Sequence, residues 1–512
     1  MSDAAPAPVP NRGWITVSIM VATFMQGVDT TIANVALPHM QGSFSVAQDQ
    51  IAWVVTSYIV AAAIMTPLTG WLAGRFGIKY VFLISVIGFT VASALCGLAT
   101  SLAQLVIYRL IQGACGAALV PLSQAVLLQI NPPQRHAQAM AVWGMGVILG
   151  PIIGPALGGW LTEDYNWRWV FFINLPFGVL AAAGIMIFIH HTRHALREAF
   201  DFFGFASLSL AIGALQMLLD RGELMDWFGS TEIWIEAAVA GVCFYLFVVH
   251  TITATDRSFL NRSLLKDPNC IVGTVLMFLI GIPLYGTMTL LPTMLQNLMN
   301  YPVFTTGLVT APRGVGTMIA MILVARLVNR IDTRLIILLG LALTAIALWQ
   351  MTGFSLQMGM GPVITTGLMQ GFGLGFVFTP LSIITFSTLP RNLLTQGTAI
   401  FSLMRNIGGS VGIAIVEALL DQNTQVVHSR LVERLRPDNP LTQGPALHAP
   451  FSLTTPMGVA ALNAEATRQA AMVAYLDDYM LMMLLVVAAV PLLLLLRRPR
   501  SMPRGAALAA LD

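Results

Sequence analysis

Residues 14–36 read WITVSIMVATFMQGVDTTIANVA, and this stretch decides the architecture. About 20 mostly apolar residues, rising ~1.5 Å each as a helix, cross the ~30 Å hydrocarbon core of a bilayer. The preceding residues 1–13 are rich in Pro and Ala with one basic residue, and no small-residue cleavage site is clear. The run therefore reads as a span and not as a cleavable signal. Inside it lies Asp29, with Gln26 and Asn34 about a turn away on either side.

Working outward, comparable runs recur near 51–72, 80–99, 105–129, 138–161, 169–189, 203–219, 233–252, 270–292, 305–325, 335–354, 358–384, 395–420 and 478–496, fourteen spans in all. The composition agrees: 56% of the 512 residues are hydrophobic and 10% charged, with mean hydropathy +0.78. A soluble domain carries about 25% charged residues. An ordinary soluble enzyme and a nucleic-acid binder are excluded. The chain is an all-α polytopic membrane protein. Its four cysteines (Cys96, Cys115, Cys243, Cys270) fall inside apolar runs without CxxC spacing and read as small packing residues.

The loops test the count. Arg12, Arg75, Lys79, Arg135, Arg193, Arg197, Arg257, Arg262, Lys266, Arg326, Arg330, Arg334, Arg391, Arg497, Arg498, Arg500 and Arg504 all fall on one side. The short loops opposite hold only Arg168 and Arg221. The positive-inside rule makes the first side cytoplasmic, with both termini there. Two segments stand apart. The linker 190–202 carries His190, His191 and His194 and reads as a solvated basic helix end, with a metal tract as its rival. Segment 421–477 is the one long external loop, helix-like over Gln425–Arg436 and Ala461–Tyr475 and broken at Pro437 and Pro440. A loop of this length is either functional or an inert extension.

The loop after the second span, Gly70-Trp-Leu-Ala-Gly74-Arg75-Phe-Gly77-Ile-Lys79, aligns without a gap on Ala325-Arg-Leu-Val-Asn329-Arg330-Ile-Asp332-Thr-Arg334 after the tenth. Internal repeats of this kind build transporters. The expected organisation is a tail (1–13), a six-helix half (14–190), two inserted helices with linkers (191–269), a second half including the long loop (270–496) and a basic tail (497–512).

Charges within spans are costly and should face the bundle interior. Arg313, Arg405 and Glu417 each suit a structural pair or an end group. Asp29 is short, cannot snorkel, and has polar neighbours. A desolvated carboxylate is able to take a proton from one side and release it on the other. If Arg109 in the fourth span approaches Asp29 in only one conformation, protonation is coupled to movement. One proton crossing 100 mV supplies about 2.3 kcal/mol. The fifth span carries Gly144, Gly146, Gly150-Pro151, Gly154-Pro155 and Gly158-Gly159. Glycines four apart permit close helix approach and prolines bend the helix, so tight packing and a hinge or seal against proton leak both stay open.

Three motifs mislead. Gly408-Gly-Ser410-Val-Gly412 matches a nucleophile elbow literally, but lies in an apolar helix with no histidine. Gly371-Phe-Gly373-Leu-Gly375 has no preceding strand and no phosphate-binding lysine. Without a P-loop, ATP is not the direct energy source on this chain. Asn261-Arg-Ser263 is a glycosylation sequon on the cytoplasmic side.

Together these residues resemble the major facilitator superfamily, in its fourteen-span EmrB/QacA subfamily of drug:proton antiporters. The resemblance covers nearly the whole chain. It rests on Val28-Asp29-Thr-Thr-Ile-Ala-Asn34-Val-Ala-Leu-Pro38, Arg109-Leu-Ile-Gln112-Gly113-Ala-Cys-Gly116, Gly150-Pro151-Ile-Ile-Gly154-Pro155-Ala-Leu-Gly158-Gly159 and Trp167-Arg168-Trp-Val-Phe-Phe-Ile-Asn174-Leu-Pro176. It implies proton-driven export of hydrophobic or amphipathic toxic compounds by rocking of two halves, with the proton as coupling ion and no other cofactor. Asp29 would be the protonation site, Arg109 its partner, Gly70, Arg75, Gly77 and Lys79 the gating loop, and Gly150, Pro151, Gly154, Pro155 and Gly158 the antiporter helix motif. Gly74 stands where the family's gating loop usually has an aspartate, which puts that loop's charge relay in doubt.

The long loop is more like the EmrB branch of Gram-negative bacteria, which implies an inner-membrane protein working with a periplasmic adaptor and an outer-membrane channel. Gln26, Asn34, Gln112 and Gln370 are candidate cavity residues. The nearest rival is an exporter of one metabolite, such as a siderophore or fatty acid, on the same scaffold. A non-transporting membrane sensor and an intramembrane hydrolase are more distant.

Overall fold

The computed structural model describes residues 11–132, 135–189, 200–254, 261–328, 330–390, 393–436 and 451–497. Most of the N-terminal tail, the three linker histidines, the middle of the long loop and the C-terminal tail from residue 498 lie outside them. All regular structure among the described residues is helical. The lipid interior dictates this, because backbone groups there must be satisfied within the segment.

Fourteen spans follow one another. They are Arg12–Phe44, the pair Gln48–Met65 and Leu68–Phe76, Ile78–Leu98, Leu102–Gly116 continued by Leu119–Ile130, His136–Asp164, Trp169–Phe172 continued by Asn174–Phe188, Phe202–Arg221, Thr231–Thr253, Pro268–Asn297, Val303–Leu327, Thr333–Met351, Met360–Phe386, Leu394–Val432 and Pro456–Ala489. They are called spans 1 to 14 below. Span 2 bends by 55° at its break. Pro67 sits there, and its missing N–H interrupts the helical ladder.

Three boundaries differ from the sequence reading. Span 1 continues through Pro38 to Phe44, and span 13 extends to Val432. Span 14 starts at Pro456, within the expected loop. Local polar pairs support the solvated parts of these helices: Gln425 donates to Asp421 at 2.8 Å and Gln469 to Glu465 at 2.8 Å. The two extensions run side by side, with His428 Nε2 2.9 Å from Asn463 Oδ1.

The repeat is visible in the packing. Span 1 packs along spans 5 and 6, span 2 along span 4, and span 3 against spans 4 and 6. In the second half, span 9 packs along spans 13 and 14, span 10 along span 12, and span 11 against spans 12 and 14. Each pair recurs eight spans later. Spans 7 and 8 pack on each other, and span 7 lies against spans 2 and 13. The aligned loops also correspond, as both contribute the residue that precedes a helix. Gly77 enters span 3 at φ 88°, a conformation that favours glycine, while Asp332 accepts from Arg334 N at 3.1 Å to cap span 11.

The halves meet at the end that carries the basic loops. Thr398 of span 13 donates to Pro121 O of span 4 at 3.1 Å, and Trp143 of span 5 stacks on Phe378 of span 12 at 5.6 Å. Gly70 lies against Gln396, where an added Cβ would stand 2.6 Å from Gln396 Cγ. The molecule is therefore closed at this end.

Candidate functional site: a buried carboxylate held by three donors

Span 1 places Asp29 against spans 4 and 6. Its side chain is 0% exposed, and that of Arg109 1%. Arg109 Nη1 donates to Asp29 Oδ2 at 2.8 Å. Gln112 Nε2 donates to Oδ1 at 2.8 Å, and Asn174 Nδ2 to the same oxygen at 2.7 Å. The i, i+3 spacing of Arg109 and Gln112 puts both on one face of span 4, and Arg109 Nη1 also donates to Gln112 Oε1 at 2.9 Å. Asn174 donates to Ser93 Oγ at 3.0 Å, which in turn donates to Phe171 O at 2.8 Å.

Arg109 is fixed from outside the pair as well. Its Nε donates to Val54 O at 3.1 Å, and its guanidinium lies 4.3 Å from the Tyr58 ring centroid. Gly113 makes this possible, since a Cβ there would strike the backbone of Tyr58. Spans 4 and 6 thus meet the carboxylate of span 1 directly, with spans 2 and 3 holding the donors in place. Three donors, one of them cationic, suit its ionised form. Removal of the guanidinium would leave a buried charge short of its counter-ion.

The glycine stripe of span 5 sets the position of span 1. Gly150 faces Gly27, where a Cβ would lie 2.5 Å from the Gly27 carbonyl carbon. Gly154 meets Thr31 and Gly158 meets Ile32, so one stripe of span 5 carries the opposite face of Asp29's helix. Pro151 and Pro155 lie within a helix that continues from His136 to Asp164. Gly159 has no atom within 4 Å of a Cβ and takes no part.

The other expected residues disperse. Gln26 is half-buried beside Tyr58, and Asn34 is exposed. Gln370 belongs to the second half, where it donates to Thr287 Oγ1 at 3.2 Å. That contact is the repeat counterpart of Gln112 on Asp29, with a threonine in place of the acid. In the gating loop Arg75 is exposed, while Lys79 Nζ donates to Met186 O at 2.7 Å at the end of span 6. Arg313 Nη2 donates to Leu284 O at 2.9 Å, and Arg405 lies 5.9 Å from the Phe378 ring centroid. Ser410 sits in unbroken helix and accepts from Gln216 at 2.8 Å, with Gly408 and Gly412 packed on span 9. Gly371, Gly373 and Gly375 fit span 12 between spans 10 and 11.

Two of the polar residues that the structure buries stand out among those to which sequence reading gave no role. Asn174 lay inside a quoted motif, and its signal was a carboxamide in an otherwise apolar span. Asp478 stood at the expected start of span 14 and so read as an end residue. The helix begins more than twenty residues earlier, and Asp478 is 1% exposed.

A helical bundle of two repeated halves around a buried intramembrane ion pair defines a polytopic membrane transporter. Residues 19–413 match the Major Facilitator Superfamily. The chain is 36% identical over 447 residues to the fatty acid resistance protein FarB of Neisseria gonorrhoeae, covering 87% of this chain and 88% of that protein. It is 37% identical over 434 residues to the multidrug export protein EmrB of Escherichia coli K12, covering 84% of each. The crystal structure of the human organic anion transporter MFSD10 superposes with a TM-score of 0.58 at 16% identity, covering 93% of this chain and 100% of that one. The chain belongs to the Major Facilitator Superfamily, a family of transporters and not of enzymes, and its relatives place it beside the EmrB branch.

Proposed function

We propose that this protein is a proton-coupled multidrug exporter of hydrophobic or amphipathic toxic compounds in the bacterial inner membrane, working by alternating access. The observation that carries the reading is Asp29, fully buried in a span and held by Arg109, Gln112 and Asn174. In the state closed at the basic-loop end, the pair keeps the carboxylate ionised. Protonation from the outer side releases Arg109 and loosens span 1 from span 4. Reopening to the cytoplasm returns the proton, and each proton crossing 100 mV contributes about 2.3 kcal/mol to the cycle. The glycine stripe of span 5 lets span 1 move as a unit with it. The gating loop, without an acid at Gly74, contributes contact and not charge relay.

Multidrug breadth is supported by the named activity of EmrB, and the paired extensions of spans 13 and 14 offer a surface for a periplasmic adaptor that leads to an outer-membrane channel. The name of the FarB relative favours a second reading on the same scaffold, export of fatty acids alone. Ethidium uptake into inverted vesicles tests the first reading. A pH gradient should drive uptake by the wild type and not by a normally expressed Asp29→Asn variant. Uptake that survives both gradient collapse and the substitution removes Asp29 from the coupling. Gradient-driven uptake of long-chain fatty acid into the same vesicles with no ethidium transport selects the second reading.

A further inference from the structure

The two halves repeat their packing but not their charges. In the first half the arginine and the acid touch. In the second, Arg313 of span 10 finds a backbone carbonyl, and the acid is Asp478 of span 14. Arg313 occupies the place of Tyr58, because Gly371 packs on its backbone as Gly113 packs on that of Tyr58. Span 14 stands to span 9 as span 6 stands to span 1. Thr287 stands in the place of Asp29, and the most deeply buried acid of the second half, Asp478, lies on its last helix.

Asp478 differs from Asp29 in one decisive respect. It is 1% exposed, and among the described residues neither of its carboxyl oxygens has a hydrogen-bond partner. A charged carboxylate without donors is among the most costly groups to bury, whereas a neutral carboxylic acid is tolerated. Among the described residues it forms no salt bridge. On its own helix it neighbours Tyr475, Asp477 and Tyr479. From neighbouring spans, Glu417 of span 13 interacts electrostatically with Tyr475 and Arg313 of span 10 with Tyr479. Titratable groups on span 9 are limited to Cys270 and Tyr285, and on span 11 to Arg334 at its first turn.

We propose that Asp478 is a second proton-binding site, protonated in this conformation while Asp29 is ionised. The two halves then hold opposite protonation states and exchange them as the molecule rocks. The role in transport rests on the proton-coupled reading above, but the protonation of Asp478 does not.

Infrared spectroscopy of the purified protein in lipid, at neutral pH, reads the acid without any substrate. A carboxylic C=O band should be present in the wild type, absent in Asp478→Asn, displaced in Asp478→Glu and retained in Asp29→Asn. It should also fade as the pH is raised. Identical wild-type and Asp478→Asn spectra overturn the proposal, and so does a band that no alkaline pH removes. If Asp478→Asn does not fold, the displacement in Asp478→Glu and the wild-type titration decide alone. In proteoliposomes, gradient-driven ethidium accumulation should be lost in Asp478→Asn while passive ethidium exchange persists. Unchanged accumulation removes the residue from coupling. Absence of any wild-type transport refutes the drug-export reading and leaves the infrared result standing.

Discussion

A double-substitution cycle on Asp29 and Arg109 measures the pair directly. Both side chains are essentially inaccessible and 2.8 Å apart. Deleting one member of a buried pair costs about 3–5 kcal/mol, because the other is left without its counter-charge. The structure places Arg109→Gln near the lower bound, since Gln112 and Asn174 still donate to Asp29 at 2.8 and 2.7 Å. Asp29→Asn leaves the guanidinium without a counter-ion, against Val54 O, Gln112 Oε1 and the ring faces of Tyr58 and Phe171. About 3 kcal/mol is roughly two orders of magnitude in the folded-to-unfolded ratio, at 1.36 kcal/mol per tenfold. The double variant should cost less than the sum of the single ones, with a coupling energy at the upper end of the 0.5–3 kcal/mol range for contacting residues. Unfolding of purified protein in mixed micelles against rising dodecyl sulfate supplies the free energies. Strict additivity, or an Arg109→Gln protein as stable as the wild type, refutes the argument that the pair holds spans 1 and 4 together.

Other expectations follow from packing. Gly150→Val should separate spans 1 and 5, costing about 1–3 kcal/mol in unfolding assays and abolishing ethidium transport, whereas Gly159→Ala should change neither, since its Cβ meets nothing within 4 Å. In a protein freed of its own four cysteines, the pair Gly70→Cys and Gln396→Cys should cross-link on mild oxidation and stop transport until reduced, as a Cβ at Gly70 falls 3.3 Å from that of Gln396. Ser410→Ala should keep transport and lose about 1 kcal/mol of stability with its bond from Gln216; abolished transport in a well-folded variant would reopen the hydrolase reading.

The spans were legible because a bilayer imposes one length and one polarity on each of them, and the aligned basic loops carried the repeat. The core of the candidate site was legible for the same reason: Asp29 and Arg109 stand out where charge is rare. The ends were less so. Residues 421–436 and 456–477 are mixed in charge, and water removes the apolar contrast that marks a span, so only local pairs such as Gln425 with Asp421 keep them helical. Misplacing the start of span 14 then hid Asp478. Gln26, Asn34, Gln112 and Gln370 failed to gather because polarity in a span records a need for a partner and not which partner is met. Gln112 found Asp29, and Gln370 found Thr287 in the other half.

Span 13 has one further consequence. It is a single helix of 39 residues, close to 60 Å long at 1.5 Å per residue, or about twice the hydrocarbon thickness. Near one end, Gln396 and Thr398 form part of the seal between the halves, and near the other, His428 grips span 14. Such a rod is a lever with its load outside the membrane. A small tilt that broke the contact at Pro121 would swing the paired helix tips through a larger arc than the seal itself.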